Sequence, residues 1–196
     1  EADDVVSYVC QHKKYNEYTK IIVSSDKDFF QLCKDDTVVI WRPIQKEFIN
    51  RGILVNKHKI HPNNYALARA IDGDKSDNLD GVPRVGMKTI QSAFPFLDEA
   101  KAYSCDDLLV HCKMQTKQKT IHKKLIEYQD RVKSNYGIMQ LYEPQISNNG
   151  RRYIDYSIDG FEHGFNKLEI QKMLMKDGQG SLNLNDLWAA FKNIKP

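Results

Sequence analysis

The chain of 196 residues has no run of about 18 apolar residues, so no stretch of it reads as a bilayer-spanning helix. No basic stretch followed by an apolar one opens it, which argues against a secretory signal. Its four cysteines, Cys10, Cys33, Cys105 and Cys112, form no CxxC pair. That spacing excludes the usual structural zinc sites and the crowded disulfide frameworks of small secreted domains, and predicts reduced thiols packed mostly in the interior. Internal repeats and low-complexity linkers are missing as well. These absences together predict a soluble intracellular protein.

What is present is an ordinary hydrophobic fraction of 41%, enough for one substantial core or a domain with an appended lobe. The net charge of +3 is too small to imply a partner by itself, but the charges are sorted. Acidic residues cluster at Glu1 to Asp4, Asp26 to Asp28, Asp35 to Asp36 and Asp72 to Asp80. Lys113, Lys117, Lys119, Lys123, Lys124, Arg131 and Lys133 share one stretch with only Glu127 and Asp130. That basic run reads first as a solvated helix face. Separate patches of opposite sign also suit a protein holding cations at one place and phosphates at another.

Periodicity predicts a helix over Ala2 to Lys13 and a short β-branched strand over Thr19 to Ser25. A short helix follows over Phe29 to Cys33, then a second strand over Thr37 to Arg42 that Pro43 ends. This order implies an α/β fold with a parallel sheet, whose functional crevice lies beyond the carboxyl ends of the strands, where Asp26 and Asp28 fall. Lys46 to Val55 reads as a hairpin turning at Gly52. Pro62 starts a helix over Asn63 to Ile71 that Gly73 stops; Gly81 to Gly86 is a tight turn, and Met87 to Phe94 a further helix. Further helices are expected at Asp98 to Ala102, Cys105 to Met114, Gln118 to Leu141, Lys167 to Met175 and Leu184 to Lys192, with an irregular stretch from Glu143 to Gly164.

Three acidic motifs carry the chemistry. Glu1 and Asp4 share one face of a helical first turn, beside Asp3. Asp26 and Asp28 follow a strand, and Asp74 and Asp77 sit three apart in Gly73-Asp74-Lys75-Ser76-Asp77-Asn78. Each has a plain reading: favourable charge on a first turn, an N-cap at Asp26, or turn chemistry at Asp74 to Asn78. If the seven converge, mutual repulsion would raise their pKa values unless cations are held among them. Hard divalent ions, Mg²⁺ or Mn²⁺, suit oxygen ligands, and two of them about 3.5 to 4 Å apart suit phosphodiester hydrolysis. Directly afterwards, Gly81, Val82, Pro83, Arg84, Val85, Gly86, Met87, Lys88 and Thr89 have the outline of a helix-hairpin-helix. Its glycines allow positive φ and close backbone approach, and its second helix offers amides, Lys88 and Thr89 to a phosphate. The alternative is a plain αα-hairpin.

The EADD, SSDKD and GDKSDN motifs followed by GVPRVGMKT resemble the structure-specific 5′-nuclease family, which includes flap endonucleases, the 5′-nuclease domain of bacterial DNA polymerase I, and bacteriophage 5′-exonucleases and RNase H. The resemblance covers Glu1 to Phe94 and points to a phage or bacterial member. It implies a metal-dependent 5′-to-3′ exonuclease or flap endonuclease of replication or repair. Glu1, Asp3 and Asp4 would hold a first metal, Asp26 and Asp28 would lie between two ions, and Asp74 and Asp77 would serve the second. It also implies K⁺ at the hairpin carbonyls, and as partners 5′-flap, nicked or branched DNA or an RNA–DNA hybrid, with a polymerase, clamp or single-strand-binding protein alongside. The expected place is the cytoplasm of a bacterial cell or phage-infected host, away from membranes.

Two departures stand out. Arg84 occupies a position where the family commonly carries Gly, and the Asp-bearing strand and basic helical arch with which the family pattern begins do not precede Glu1. The expected organisation is therefore the C-terminal part of the α/β core (1–61), its N-terminal part absent, then the helix-hairpin-helix region (62–141) and an irregular and helical C-terminal region (142–196). The departures keep a second reading open: a non-catalytic DNA-binding fragment, or one half of a split nuclease completed by a separate N-terminal fragment. A metal-binding domain of response-regulator type is a third, which leaves Gly81 to Thr89 unexplained.

Overall fold

Residues 1–161 and 166–192 are described in the computed structural model, and the chain divides into two compact units, Glu1–Ser147 and Asn148–Pro196. The fold is mixed α/β. Among the described residues no helix is long and apolar enough to cross a membrane.

The first unit opens with α1 (Ala2–Cys10), whose Ser7 and Cys10 face the interior. β1 (Lys20–Val23) pairs in parallel with β2 (Val38–Arg42), Ile22 opposite Ile40, as β-branched runs predict. Between them a 3₁₀ turn, Asp28–Leu32, is buried throughout, which seats Asp28 at the floor of the strand's carboxyl end. β2 also pairs antiparallel with β3 (Glu47–Ile49), so the three-stranded sheet is mixed rather than wholly parallel. Gly52 corrects the expected hairpin: it lies inside α2 (Arg51–His58), which starts where the Asn50 side chain accepts the Ile53 amide at 3.0 Å. That N-cap was the missed signal.

α3 (Tyr65–Asp72) is buried along nearly its whole length and packs on α7 (Gln129–Met139). Gly73 ends it at φ 81°, and a two-residue pair, β4 (Gly73–Asp74) with β5 (Leu79–Asp80), presents the GDKSDN loop before α4 (Met87–Ala93) begins. A 3₁₀ turn at Pro95–Asp98 replaces the helix expected at Asp98 to Ala102. α5 (Cys105–Met114) follows. The single helix expected over Gln118 to Leu141 is two: α6 (Thr120–Glu127), packed on α5, and α7, with the break at Tyr128. No Gly or Pro marks the break; two different packing partners impose it.

In the second unit, Asn148–Asp159 forms α8, which corrects the irregular segment expected there, although 162–164 of that stretch lie outside the described residues. α9 (Lys167–Lys176) and α10 (Asn185–Lys192) match the expected helices within a residue or so.

All four cysteines are free thiols and three are buried; burial pushes the Cys33 thiol up to about 12. Another buried group carries a pH effect. His122 is 3% exposed, its Nδ1 accepts the Lys119 amide at 3.3 Å, and its Nε2 has no partner. Burial holds its pKa below the usual 6.5, so the unfolded chain takes up the proton first as pH falls. Stability from the neutral ring is complete above pH 6.5 and is lost as the pH drops below that value. His122→Phe should therefore narrow its stability gap to the parent between pH 8 and pH 5 in thermal melts; a gap independent of pH would contradict this origin.

Candidate metal centre and hairpin

Glu1, Asp3, Asp4, Asp26, Asp28 and Asp77 line one pocket of about 340 Å³, closed on its other side by Leu79, Ile138, Met139 and Leu141. Asp74 joins from beneath: ligand oxygens of Asp28, Asp74 and Asp77 lie within 4.8 Å of one another. The structure thus brings all seven sequence-predicted carboxylates to one region. α1 contributes through its first turn, the end of β1 through Asp26 and Asp28, and the β4–β5 loop through Asp74 and Asp77.

The plain structural roles are present too. The Asp26 Oδ1 accepts the Asp28 amide at 2.8 Å, and the Asp74 Oδ1 accepts the Ser76 amide at 2.8 Å. At Asp26 this bond fixes the carboxylate by one oxygen and leaves the other for a ligand; at Asp74 the second oxygen accepts from Arg69.

The electrostatics show a site short of positive charge. Burial, then Asp26, Glu1, Asp4 and Asp77, push the Asp3 carboxyl above the usual range. Asp28 is raised by burial and by Asp26 and Asp74, against the pull of Arg69. Asp77 is raised by burial and by Asp74 and Asp26. Asp74 alone of these goes down: burial works against it, but Ser76 and Arg69 outweigh that. A set of crowded hard-oxygen donors whose charged forms repel one another fits divalent cations.

Sequence reading missed Arg69. Its side chain is 9% exposed; Nε donates to Asp28 Oδ1 at 3.0 Å, Nη1 to the Gly73 carbonyl at 3.1 Å, and Nη2 to Asp74. One guanidinium thereby ties the strand-end motif to the loop motif. A lone Arg in the apolar run Ala66 to Ile71 was the available signal, since a buried cation needs anions around it. Gln31 and Asn135 were missed as well. Gln31 donates to the Asp28 and Met139 carbonyls at 2.7 and 3.0 Å; Asn135 donates to the Ala70 and Asp80 carbonyls, both at 3.0 Å. Both brace the acidic loops against α7.

The hairpin differs from the expectation in its glycines. Neither Gly81 nor Gly86 has positive φ; the left-handed residue of the turn is Arg84, at φ 58°. Gly81 is required for closeness instead, since a Cβ there would stand 2.2 Å from the Asp72 carbonyl oxygen, whereas one on Gly86 would meet nothing nearer than 3.6 Å. Gly81→Ala should accordingly lower stability by about 3 kcal/mol or more, and Gly86→Ala should be near neutral in the same denaturant titration. Equal effects would refute the packing account. Asp72 accepts the Met87 amide, which pins the start of α4 to the end of α3. The turn is held from outside by α6 and α7: Lys124 Nζ donates to the Pro83 carbonyl at 2.6 Å and Arg131 Nη1 to the Gly81 carbonyl at 3.1 Å.

The 5′-3′ exonuclease of Aquifex aeolicus is 34% identical to this chain over 89 residues, 45% of the chain. DNA polymerase I of Thermus aquaticus is 37% identical over 89 residues, again 45% of the chain. Over that part this chain is similar to bacterial 5′-3′ exonuclease and DNA polymerase I. It spans 30% of the length of the Aquifex exonuclease and 10% of the Thermus polymerase. No family model matches it. Two solved structures share its fold: zinc-bound bacteriophage T5 5′-exonuclease (TM-score 0.64, 19% identity, 80% of this chain and 56% of that one), and bacteriophage T5 flap endonuclease in complex with DNA and metal ions (TM-score 0.65, 17% identity, 81% and 58%). The likeness in fold extends well beyond the part of the chain that is similar in sequence.

Proposed function

We propose that the protein is a divalent-metal-dependent 5′-to-3′ exonuclease and flap endonuclease hydrolysing phosphodiester bonds in branched DNA or RNA–DNA during replication or repair. The observation that carries this reading is the convergence of seven carboxylates from three separate motifs, the third followed directly in sequence by the Gly81 to Thr89 turn. The likeness to 5′-3′ exonucleases supports it.

Asp28, Asp74 and Asp77 would hold one Mg²⁺ or Mn²⁺, and Glu1, Asp3, Asp4 and Asp26 a second. Divalent ions there supply Lewis acidity at the scissile phosphate and a nucleophile at neutral pH. The chain's own part is geometric and electrostatic. Arg69 offsets part of the charge on Asp28 and Asp74, Ser76 and the Asp28 amide orient two carboxylates, and the apolar wall of Ile138, Met139 and Leu141 limits water on one side. Gly81, Val82, Pro83, Arg84, Val85, Gly86, Lys88 and Thr89 would grip duplex backbone, with the exposed Lys88 and Thr89 bonding a phosphate. The fit for K⁺ is poorer: the Gly81 and Pro83 carbonyls already accept from Arg131 and Lys124, and the reading needs no monovalent ion there.

In this reading 1–61 bears the metal-binding core, which Asp74 and Asp77 complete from 62–141, and the rest of 62–141 is the nucleic-acid grip; a polymerase or clamp is the natural neighbour in a bacterial or phage-infected cytoplasm. The test is cleavage of a 5′-flapped duplex by the protein with Mg²⁺ or Mn²⁺, set against the same reaction in EDTA. Cleavage that survives EDTA would overturn it.

A further inference from the structure

β1 is the open edge of the three-stranded sheet: among the described residues it pairs with β2 alone. The Lys20 and Ser24 amides donate toward β2, to the Thr37 and Trp41 carbonyls at 2.6 and 3.0 Å. Backbone groups alternate in direction along a strand, so the Ile21 and Val23 amides and carbonyls point out of the open edge. An unpaired row of that kind, in a run from Thr19 to Ser25 with no Pro or Gly, is a template for another strand. The side chains agree. Ile21 is 58% and Val23 66% exposed, while Ile22 between them is buried. Their face stays apolar past the edge, since the register sets Ile21 beside Val39, Val23 beside Trp41, and Trp41 beside the exposed Phe48. Parallel strands normally have both faces covered, and here only the face of Ile22, Ile40 and Ile49 is buried. A groove of about 760 Å³ runs between β1 and Val5, Val6 and Val9 of α1, which leaves room along the edge.

We infer that the occupant of this edge is a second copy of the chain, its β1 running antiparallel to the first across a two-fold axis at Ile22. Centred there, Ile21 lies opposite Val23 of the second copy and Val23 opposite its Ile21, so every outward amide meets an outward carbonyl. The strand is thus complementary to itself, as a two-fold interface requires. Charge agrees with this register, because each Lys20 faces Ser24 of the other copy rather than its own counterpart. The apolar row of Phe48, Trp41 and Val23 then continues through Ile21 and Val39 of the second copy. The pairing also has a consequence for the carboxylates. Asp3 lines both the groove and the acidic pocket, and Lys20 of the second copy arrives beside Ser24, just ahead of Asp26. Each copy therefore brings a cation toward the other's acidic cluster. The inference stands on the sheet edge and is independent of the nuclease reading.

The test is the mass of the protein in solution by sedimentation velocity, from about 1 to 100 µM, the range in which a small interface associates. The parent should pass from monomer to dimer over that range. Ile21→Lys/Val23→Lys sets two ammonium groups on the edge, where both side chains are already exposed. It should keep the parent's melting temperature at low concentration and raise the dimer Kd by about tenfold or more. Phe48→Lys, on the same sheet face but in β3 at the far edge, should leave the Kd unchanged. Register is read by oxidising a mixture of Ile21→Cys and Val23→Cys proteins. Opposed antiparallel residues have Cα atoms about 5.5 Å apart, within reach of a disulfide, so the mixed cross-link should form faster than either variant's own. A parent that stays monomeric throughout overturns the inference and leaves the edge to a strand of another polypeptide. A dimer lost in Phe48→Lys but kept in Ile21→Lys/Val23→Lys would be packed face to face and would overturn it too. A mixed cross-link no faster than the others would overturn the register.

Discussion

Asp74→Asn and Asp26→Asn each lower divalent-metal-dependent cleavage of a 5′-flapped duplex by about 10²-fold or more, while the protein stays folded. The reason lies in what each carboxylate does in the fold. Asp74 Oδ1 accepts the Ser76 amide, and Asp26 Oδ1 accepts the Asp28 amide. An Asn side chain keeps one oxygen and can retain those bonds, so the loop conformations persist while the charge that holds a cation is gone; Asp74→Asn also gives up the pair with Arg69 and should lose some stability that Asp26→Asn keeps. The measurement is single-turnover cleavage at saturating Mg²⁺, paired with a thermal melt of each variant. Wild-type rates in either variant would remove the basis for placing the metals here. For Asp26→Asn, a loss of activity accompanied by a large loss of stability would instead assign the residue to the scaffold.

Arg69→Met is expected to have the largest effect on stability. Its guanidinium is buried against Asp28 and Asp74, with Asp72 3.7 Å away. Removing one partner of a buried ionic network costs about 3 to 5 kcal/mol, because the remaining charges stay desolvated without compensation. For a protein of this size that corresponds to a fall of roughly 6 to 20 °C in melting temperature. Divalent cations should recover part of the loss, since a ligand that binds only the folded state stabilises it by mass action. The parent should gain less from the same Mg²⁺ concentration, because Arg69 already neutralises part of the cluster. If Mg²⁺ stabilises the parent more than Arg69→Met, the guanidinium and the metal do not share these carboxylates, and Arg69 acts by packing alone.

The legibility of this chain in its sequence divides along physical lines. β1, β2 and α3 were readable because each is dictated by a local pattern: β-branched runs for the strands, and an apolar face closed by Gly73 for the helix. The three acidic motifs were readable as candidates because carboxylates at such spacings are chemically conspicuous. The α6–α7 break was not readable, as Gln118 to Leu141 carries no Gly or Pro beyond Gly137, and the chain bends at Tyr128, where α6 packs on α5 and α7 packs chiefly on α3. Gly52 misled because a glycine in a short polar stretch suggests a turn, while the Asn50 cap decides for a helix.

The hairpin sharpens the same point. Sequence identified the Gly81 to Thr89 turn and offered its glycines two tasks, positive φ and close backbone approach, of which only the second is met, at Gly81. Close contact with the Asp72 backbone, not left-handed φ, excludes a side chain at Gly81, and Arg84 takes the left-handed position that favours a glycine. Contacts of that kind depend on the distance between α3 and the turn, which no local pattern encodes.

The sequence alone determined which residues could do the chemistry: seven carboxylates in three motifs, one turn with a lysine and a threonine behind it, and a separate basic run. Only the tertiary structure decided that the carboxylates meet, that Arg69, Gln31 and Asn135 hold them in place, and that the basic run is braced against the turn through Lys124 and Arg131. Residue types and spacings are local properties and can be read along the chain. Charge neutralisation and convergence are properties of distance between segments far apart in the chain, up to 108 residues for Gln31 and Met139, and exist only once the core has closed.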